Sequence, residues 1–211
     1  MTDLDTLRDR VEGLLQDAGN EDWTAEELDE AVRLALAPLS TLLPARAVTT
    51  LDAVDGQFEY DLSAVSGLSA VVEVWYPYLA GDARFGRPHP VRWRMLDEAT
   101  LYLDVGLQPD AAYQVRVFYD RVHTLAGLDA ATQTTLNAQE QAVLVLGAAG
   151  YAALARGRAS IGQVNLGPDT PARYAAWGEA RLKAFEQQVH ALTASRHGGD
   201  DARVGPWPTD G

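Results

Sequence analysis

The sequence contains no cysteine, which excludes disulfides, thiolate zinc sites, iron–sulfur clusters and thiol nucleophiles. It is also poor in bases: Lys+Arg 17 against Asp+Glu 30 gives a formal net charge of -13 at pH 7. So acidic a surface repels phosphate backbones and argues against a protein that reads or wraps nucleic acid through a basic face. No stretch approaches the roughly 18 to 20 apolar residues that a bilayer span needs, and the longest candidate, 142–155, is interrupted by Gly147 and Gly150. The opening Met1-Thr2-Asp3-Leu4-Asp5 lacks the basic start and apolar run of a secretory signal. Neither export nor a membrane is expected.

The usual signatures of chemistry are missing too. There is no phosphate-cradling G-x-x-x-x-G-K-[ST], no G-x-G-x-x-G, no H-E-x-x-H and no G-x-S-x-G. The histidines are His89, His123, His190 and His197. His190 and His197 are seven positions apart, two helical turns, which is too far for both to ligate one ion from one helix. Adjacent carboxylates such as Asp97-Glu98 fall in turns without an identifiable partner, so no general acid or base is assigned. The expectation is no catalytic residue, no metal site, no cofactor and no enzyme.

What is present is enough for a folded chain. Its 211 residues are 47% hydrophobic and 22% charged, close to the average folded domain and too apolar for a disordered one. The acid excess is concentrated at the start: residues 1–40 hold 11 acids and 3 bases, whereas residues 125–211 hold 8 and 7.

Leu4, Leu7, Val11, Leu14, Leu15 and Ala18 recur at helical spacing and predict an amphipathic helix over 3–18, stopped by Gly19-Asn20. Thr24-Ala25-Glu26-Glu27 reads as a capping box that opens a second helix through Leu28, Val32 and Leu36, with Pro38 and Pro44 bracketing its end. The period then changes from 3.6 to 2. Short Val-, Tyr-, Trp- and Phe-rich runs at 46–51, 58–62, 71–76, 91–96, 101–105 and 113–119 are separated by turn residues. A second capping box, Asn137-Ala138-Gln139-Glu140, opens a long apolar helix in which Gly147 and Gly150 imply close approach of another backbone. A loop over 157–169 follows, and Thr170-Pro171 caps and starts the last helix.

This order predicts an α+β fold: a four-helix cluster with an antiparallel β insertion between helices 2 and 3, and an extended C-terminal tail. The expected segments are 1–45 for the first helix pair, 46–124 for the insertion, 125–196 for the second pair and 197–211 for the tail. The economical arrangement extrudes the sheet from one end of the cluster.

Three segments invite a binding role. Val91-Arg92-Trp93-Arg94-Met95 interleaves cations with an aromatic residue, as single-strand binders do. Strict alternation instead places Val91, Trp93 and Met95 on the core and both arginines on a solvent or partner face. Glu26, Glu27, Asp29 and Glu30 read as a solvated helix start favoured by the macrodipole rather than a cation site. In the tail, Trp207 between Pro206 and Pro208 is a rigid extended segment with an aromatic anchor, suited to a partner's groove. A different class, a glycan-binding module stacking sugars on Trp75, Tyr76, Tyr78 and Trp93, is also open; a hydrolase with an unfamiliar site ranks last.

The chain resembles the head-to-tail adaptor (connector, neck) proteins of tailed bacteriophages. Leu7-Arg8-Asp9-Arg10-Val11 through Asp22-Trp23-Thr24-Ala25-Glu26-Glu27-Leu28-Asp29-Glu30-Ala31 is similar to their first helix, acidic turn ending in Trp-Thr, and second helix. Tyr119-Asp120-Arg121-Val122-His123-Thr124-Leu125, followed by Thr135-Leu136-Asn137-Ala138-Gln139-Glu140, is similar to their passage from sheet into third helix.

The resemblance implies a structural protein of the virion neck, made in the host cytoplasm. It would form a ring, usually of twelve copies, beneath the portal protein and extend the DNA channel towards the tail. DNA would pass through the lumen without sequence-specific binding, and the next neck or tail protein, a stopper or tail tube, would attach below. The C-terminal tail, with Arg196, Arg203, Val204, Pro206, Trp207 and Pro208, would bind the portal. Glu26, Glu27, Asp29 and Glu30 would line the channel or a subunit interface.

Overall fold

The computed structural model describes residues 2–17, 22–161 and 169–201, with side chains through Arg196. The elements in chain order are α1 Leu4–Leu15, α2 Ala25–Leu42, β1 Ala45–Asp52, β2 Glu59–Asp61, β3 Leu68–Tyr78, β4 Arg92–Met95, β5 Thr100–Asp104, β6 Gln114–Arg121, α3 Ala138–Ala159 and α4 Thr170–Asp201. The chain is α+β, with the sheets between the second and third helices. It divides into two compact units, residues 1–43 with 123–211, and residues 44–122.

In the helical unit α3 is the central element, packing against α4, α2 and α1. Both predicted capping boxes form: the Thr24 hydroxyl accepts from Glu27 N while Glu27 accepts from Thr24 N, and Asn137 and Glu140 do the same. These satisfy amides that the first turn of each helix would otherwise leave open. The core is built from the predicted faces, with Leu7, Val11, Leu28, Val32, Leu39 and Leu144 fully buried; each such side chain contributes about 1.5–3 kcal/mol of burial.

The glycines of α3 allow α4 to lie close. A Cβ on Gly150 would stand 2.9 Å from Leu182, and one on Gly178 would stand 2.8 Å from the Gly150 carbonyl oxygen. Gly147 instead faces side chains, Phe185 at 2.8 Å and Ala35 at 3.0 Å.

Four helix boundaries differ from the sequence reading. α1 stops at Leu15, with Gln16 in the left-handed region at φ 62; the expected stop, Gly19-Asn20, lies outside the described residues. α2, by contrast, ends at Leu42, between Pro38 and Pro44 as expected. Pro38 removes one hydrogen bond, to the carbonyl of Leu34, a residue on the exposed face, while Leu39 and Leu43 remain buried and seat the final turn. α3 runs through Gly157 to Ala159, because Gly157 admits the start of α4, with Pro171 O only 3.1 Å from where its Cβ would be. α4 begins at Thr170, its first bond running from Arg173 N to the Asp169 carbonyl, so Asp169 takes the capping position assigned to Thr170. Its backbone remains helical through Asp201, so residues 197–201 of the expected tail are helix.

All six expected strands are present. They form two three-stranded antiparallel sheets, ordered β1-β6-β3 and β2-β5-β4. Alternation sets the faces: Val115, Val117 and Tyr119 of β6 are buried, as are Leu101 and Leu103 of β5. Tyr60, Val74, Tyr76, Leu101, Leu103, Val115 and Val117 belong to one core. β3 is longer than its apolar run because bulges between Leu68 and Ala70, Val71 and Glu73, and Trp75 and Tyr78 let it bend while staying paired with β6.

Candidate interaction surfaces

The acid-rich start of the helical unit includes the turn between α1 and α2. Asp17 is buried, and its carboxylate accepts from Asp22 N at 3.2 Å and Trp23 N at 3.0 Å. This fixes Trp23, which is buried, donates from Nε1 to the Ala152 carbonyl at 3.2 Å and meets Tyr174 edge-on. Sequence reasoning missed Asp17, whose role depends on amides five and six residues onward; an acid before a short turn was the one available signal.

The four acids singled out at the start of α2 have different duties. Glu27 is exposed and closes the capping box. Asp29 is partly buried and paired with Arg8, Nε to Oδ1 at 2.6 Å, so it joins α2 to α1. That bond raises the pKa of the Arg8 guanidinium. Glu30 is exposed and 3.3 Å from Arg33, which also reaches Asp129 at 2.9 Å; the bond to Asp129 holds the Arg33 pKa above its usual value. Glu26 is exposed, with no ion pair among the described residues. Glu26, Glu27 and Glu30 are therefore available to solvent, while Asp29 serves the helix pair.

Of the tail residues assigned to portal binding, Arg196 alone is described. Its guanidinium bonds Glu140 Oε1 at 3.0 Å, and Glu140 is buried. Arg196 thus ties the end of α4 to the capping box of α3. Arg203, Val204, Pro206, Trp207 and Pro208 lie outside the described residues.

The helical unit also holds a groove of about 590 Å³. Leu14, Trp23, Arg173, Tyr174, Trp177 and Arg181 are among its lining, and the Arg181 guanidinium lies 4.8 Å above the Trp177 ring.

In the β unit, Val91, Trp93 and Met95 pack against the core while Arg92 and Arg94 are exposed, as alternation predicts. The four aromatics considered for sugar stacking do not share an open platform. Tyr76 and Tyr78 are buried, the Tyr76 hydroxyl accepts from Asp110 N, and Trp93 is engaged with the core. Arg116 donates to the Tyr78 hydroxyl and covers the rings of Trp75 and Phe118.

Among the described residues no group of three His, Asp or Glu side chains could hold a metal ion, and no helix is long and apolar enough to cross a membrane. A search of curated proteins found no match. The sequence profile of the SU10 adaptor protein family matches residues 2–205, nearly the whole chain. The chain belongs to that family, and it is a phage adaptor, as its resemblance to head-to-tail adaptors implied.

Proposed function

We propose that this protein is a virion structural component that assembles as a ring beneath the portal protein and carries the DNA channel towards the tail. The family match over residues 2–205 carries the reading. The order of helix pair, β unit and helix pair supports it. The ring is built from identical copies, with twelve matching a dodecameric portal, through heterologous contacts that close on themselves. The next neck or tail protein, a stopper or tail tube, docks on the opposite side.

The charge suits a conduit. Residues 1–40 carry 11 acids against 3 bases, and an acidic wall repels the DNA backbone and avoids trapping it. Glu26, Glu27 and Glu30 serve that wall or the contact between copies. Portal attachment falls to the tail from Arg203 through Pro208, with Trp207 as its anchor and Arg196 as its root on Glu140. A tail that reaches across a neighbouring portal subunit adds contact without a large rigid interface.

The experiment is co-sedimentation with the portal ring of the same genome. The full chain sediments with the portal, and a chain lacking residues 204–211 does so weakly. Equal sedimentation of both removes the tail from the account, and no sedimentation of the full chain removes the portal.

A further inference from the structure

The strongest charge anomaly in this acidic chain lies in the β unit. Between Arg84 and Arg94 the sequence carries Arg84, Arg87, Arg92 and Arg94 with no acid. All four arginines are exposed, and none forms an ion pair among the described residues. The flanking acids are turned to their own backbone: Asp82 accepts from the amides of Arg84 and Phe85, each at 2.7 Å, and Asp97 accepts from Ala99 and Thr100 at 2.8 and 2.7 Å.

The arginines are also positioned. Arg84 lies 5.0 Å above the Phe85 ring and Arg94 4.7 Å above Tyr102. A guanidinium seated over an aromatic ring is restrained and can still offer its N–H fork to a carboxylate. β4 is an outer strand of its sheet, and charge on an edge strand guards against aggregation. That accounts for Arg92 and Arg94 but not for Arg84 and Arg87, which lie in the preceding loop.

We infer that this arginine patch is one half of the contact between neighbouring copies, and that the acidic face of α1 and α2 on the next copy is the other half. The two surfaces are opposite in charge. Residues 1–40 have 11 acids against 3 bases, and Asp5, Asp9, Glu26, Glu27 and Glu30 are exposed there. The two patches lie in different compact units of the chain. They are unlike and complementary, which is what a heterologous contact requires if identical copies are to close a ring. Such pairing sets partner and register and weakens as salt rises. It rests on the ring proposed above and gives Glu26 and Glu30 to the contact between copies rather than to the channel wall.

The test is a charge swap, read as the fraction of chain in rings on the portal by sedimentation. Arg84→Glu with Arg87→Glu, Arg92→Glu and Arg94→Glu makes one variant; Asp9→Arg with Glu26→Arg and Glu30→Arg makes the other. Each alone lowers the ring fraction roughly tenfold, and an equimolar mixture of the two recovers it to a large extent through the interfaces in which each meets the other. A chain carrying both sets restores rings to within about twofold of the unaltered protein. Normal rings from either single variant overturn the inference, as does a double variant that stays dispersed while its thermal melting matches the unaltered chain. Normal rings combined with lost retention of a short DNA duplex by the arginine variant overturn it in favour of a polyanion contact. An unaltered chain that forms no ring overturns the proposed function and this contact together, an outcome distinct from the others.

Discussion

His123 Nε2 donates to the carbonyl of Leu43 at 2.8 Å, joining the last residue before the β unit to the first residue after it. A carbonyl can only accept, so Nε2 carries a proton, and Nδ1 lies 3.0 Å from the Thr135 hydroxyl oxygen. His123 N also donates to Ser40 Oγ at 3.1 Å. The imidazole is buried, and its removal leaves the Leu43 carbonyl without this partner. His123→Ala is expected to destabilise the helical unit by about 1–3 kcal/mol. Urea unfolding followed by helical circular dichroism measures this, and an unchanged midpoint contradicts it.

Trp23 makes the corresponding connection for the α1–α2 turn. It is buried against Tyr174 and bonded to Ala152. Trp23→Ala removes both the ring contact and the hydrogen bond and leaves a cavity, which costs about 3–5 kcal/mol. Trp23→Phe keeps the ring contact and should lose distinctly less. Equal losses would show that ring packing contributes little here.

Two glycine substitutions should move stability in opposite directions. Gly13 lies inside α1, and a Cβ added there would meet nothing within 4 Å, whereas a Cβ on Gly178 stands 2.8 Å from the Gly150 carbonyl. Gly13→Ala gains helix propensity and should stabilise by roughly 0.5–1 kcal/mol. Gly178→Ala gains the same propensity but must push α4 off α3, and overpacking of about 1–3 kcal/mol wins. Thermal melting of the two variants decides, and a stabilising Gly178→Ala would contradict the close approach of the two helices.

The β unit should weaken in acid. Amide hydrogen bonds, from Ser63 to Asp61, Phe85 to Asp82 and Ala99 to Asp97, hold these carboxyls below their ordinary value of 3.8. Because the folded values are depressed, the stability they contribute is present above 3.8 and is lost as pH falls below it. Near-ultraviolet melting from about pH 5 to about pH 3 should show the transition falling on the acid side, with a shallower fall in Asp97→Asn. An equally steep fall in that variant would exclude Asp97 from the effect.

The sequence reading succeeded where the signal was local. The capping boxes at Thr24–Glu27 and Asn137–Glu140 need four consecutive residues and formed as written. The period-2 runs likewise marked all six strands, and the alternation around Trp93 put Arg92 and Arg94 on the exposed face. It failed where the partner is remote. Gly157, read as the start of a loop, stays within α3, where the start of α4 packs against it. The pairing of Arg196 with Glu140, 56 positions away, likewise had no local signal. The candidate contact between copies was half visible: the acid run stood out, but that all four arginines are exposed and without ion pairs among the described residues is seen only in the fold.

The central claim is that this chain forms a ring on a portal. Native mass spectrometry of the purified protein mixed with the portal ring from the same genome tests it most directly. The account predicts one stacked complex whose mass exceeds the portal's by a whole ring of 22.8 kDa chains. Portal and adaptor masses that stay separate at several salt concentrations would contradict it.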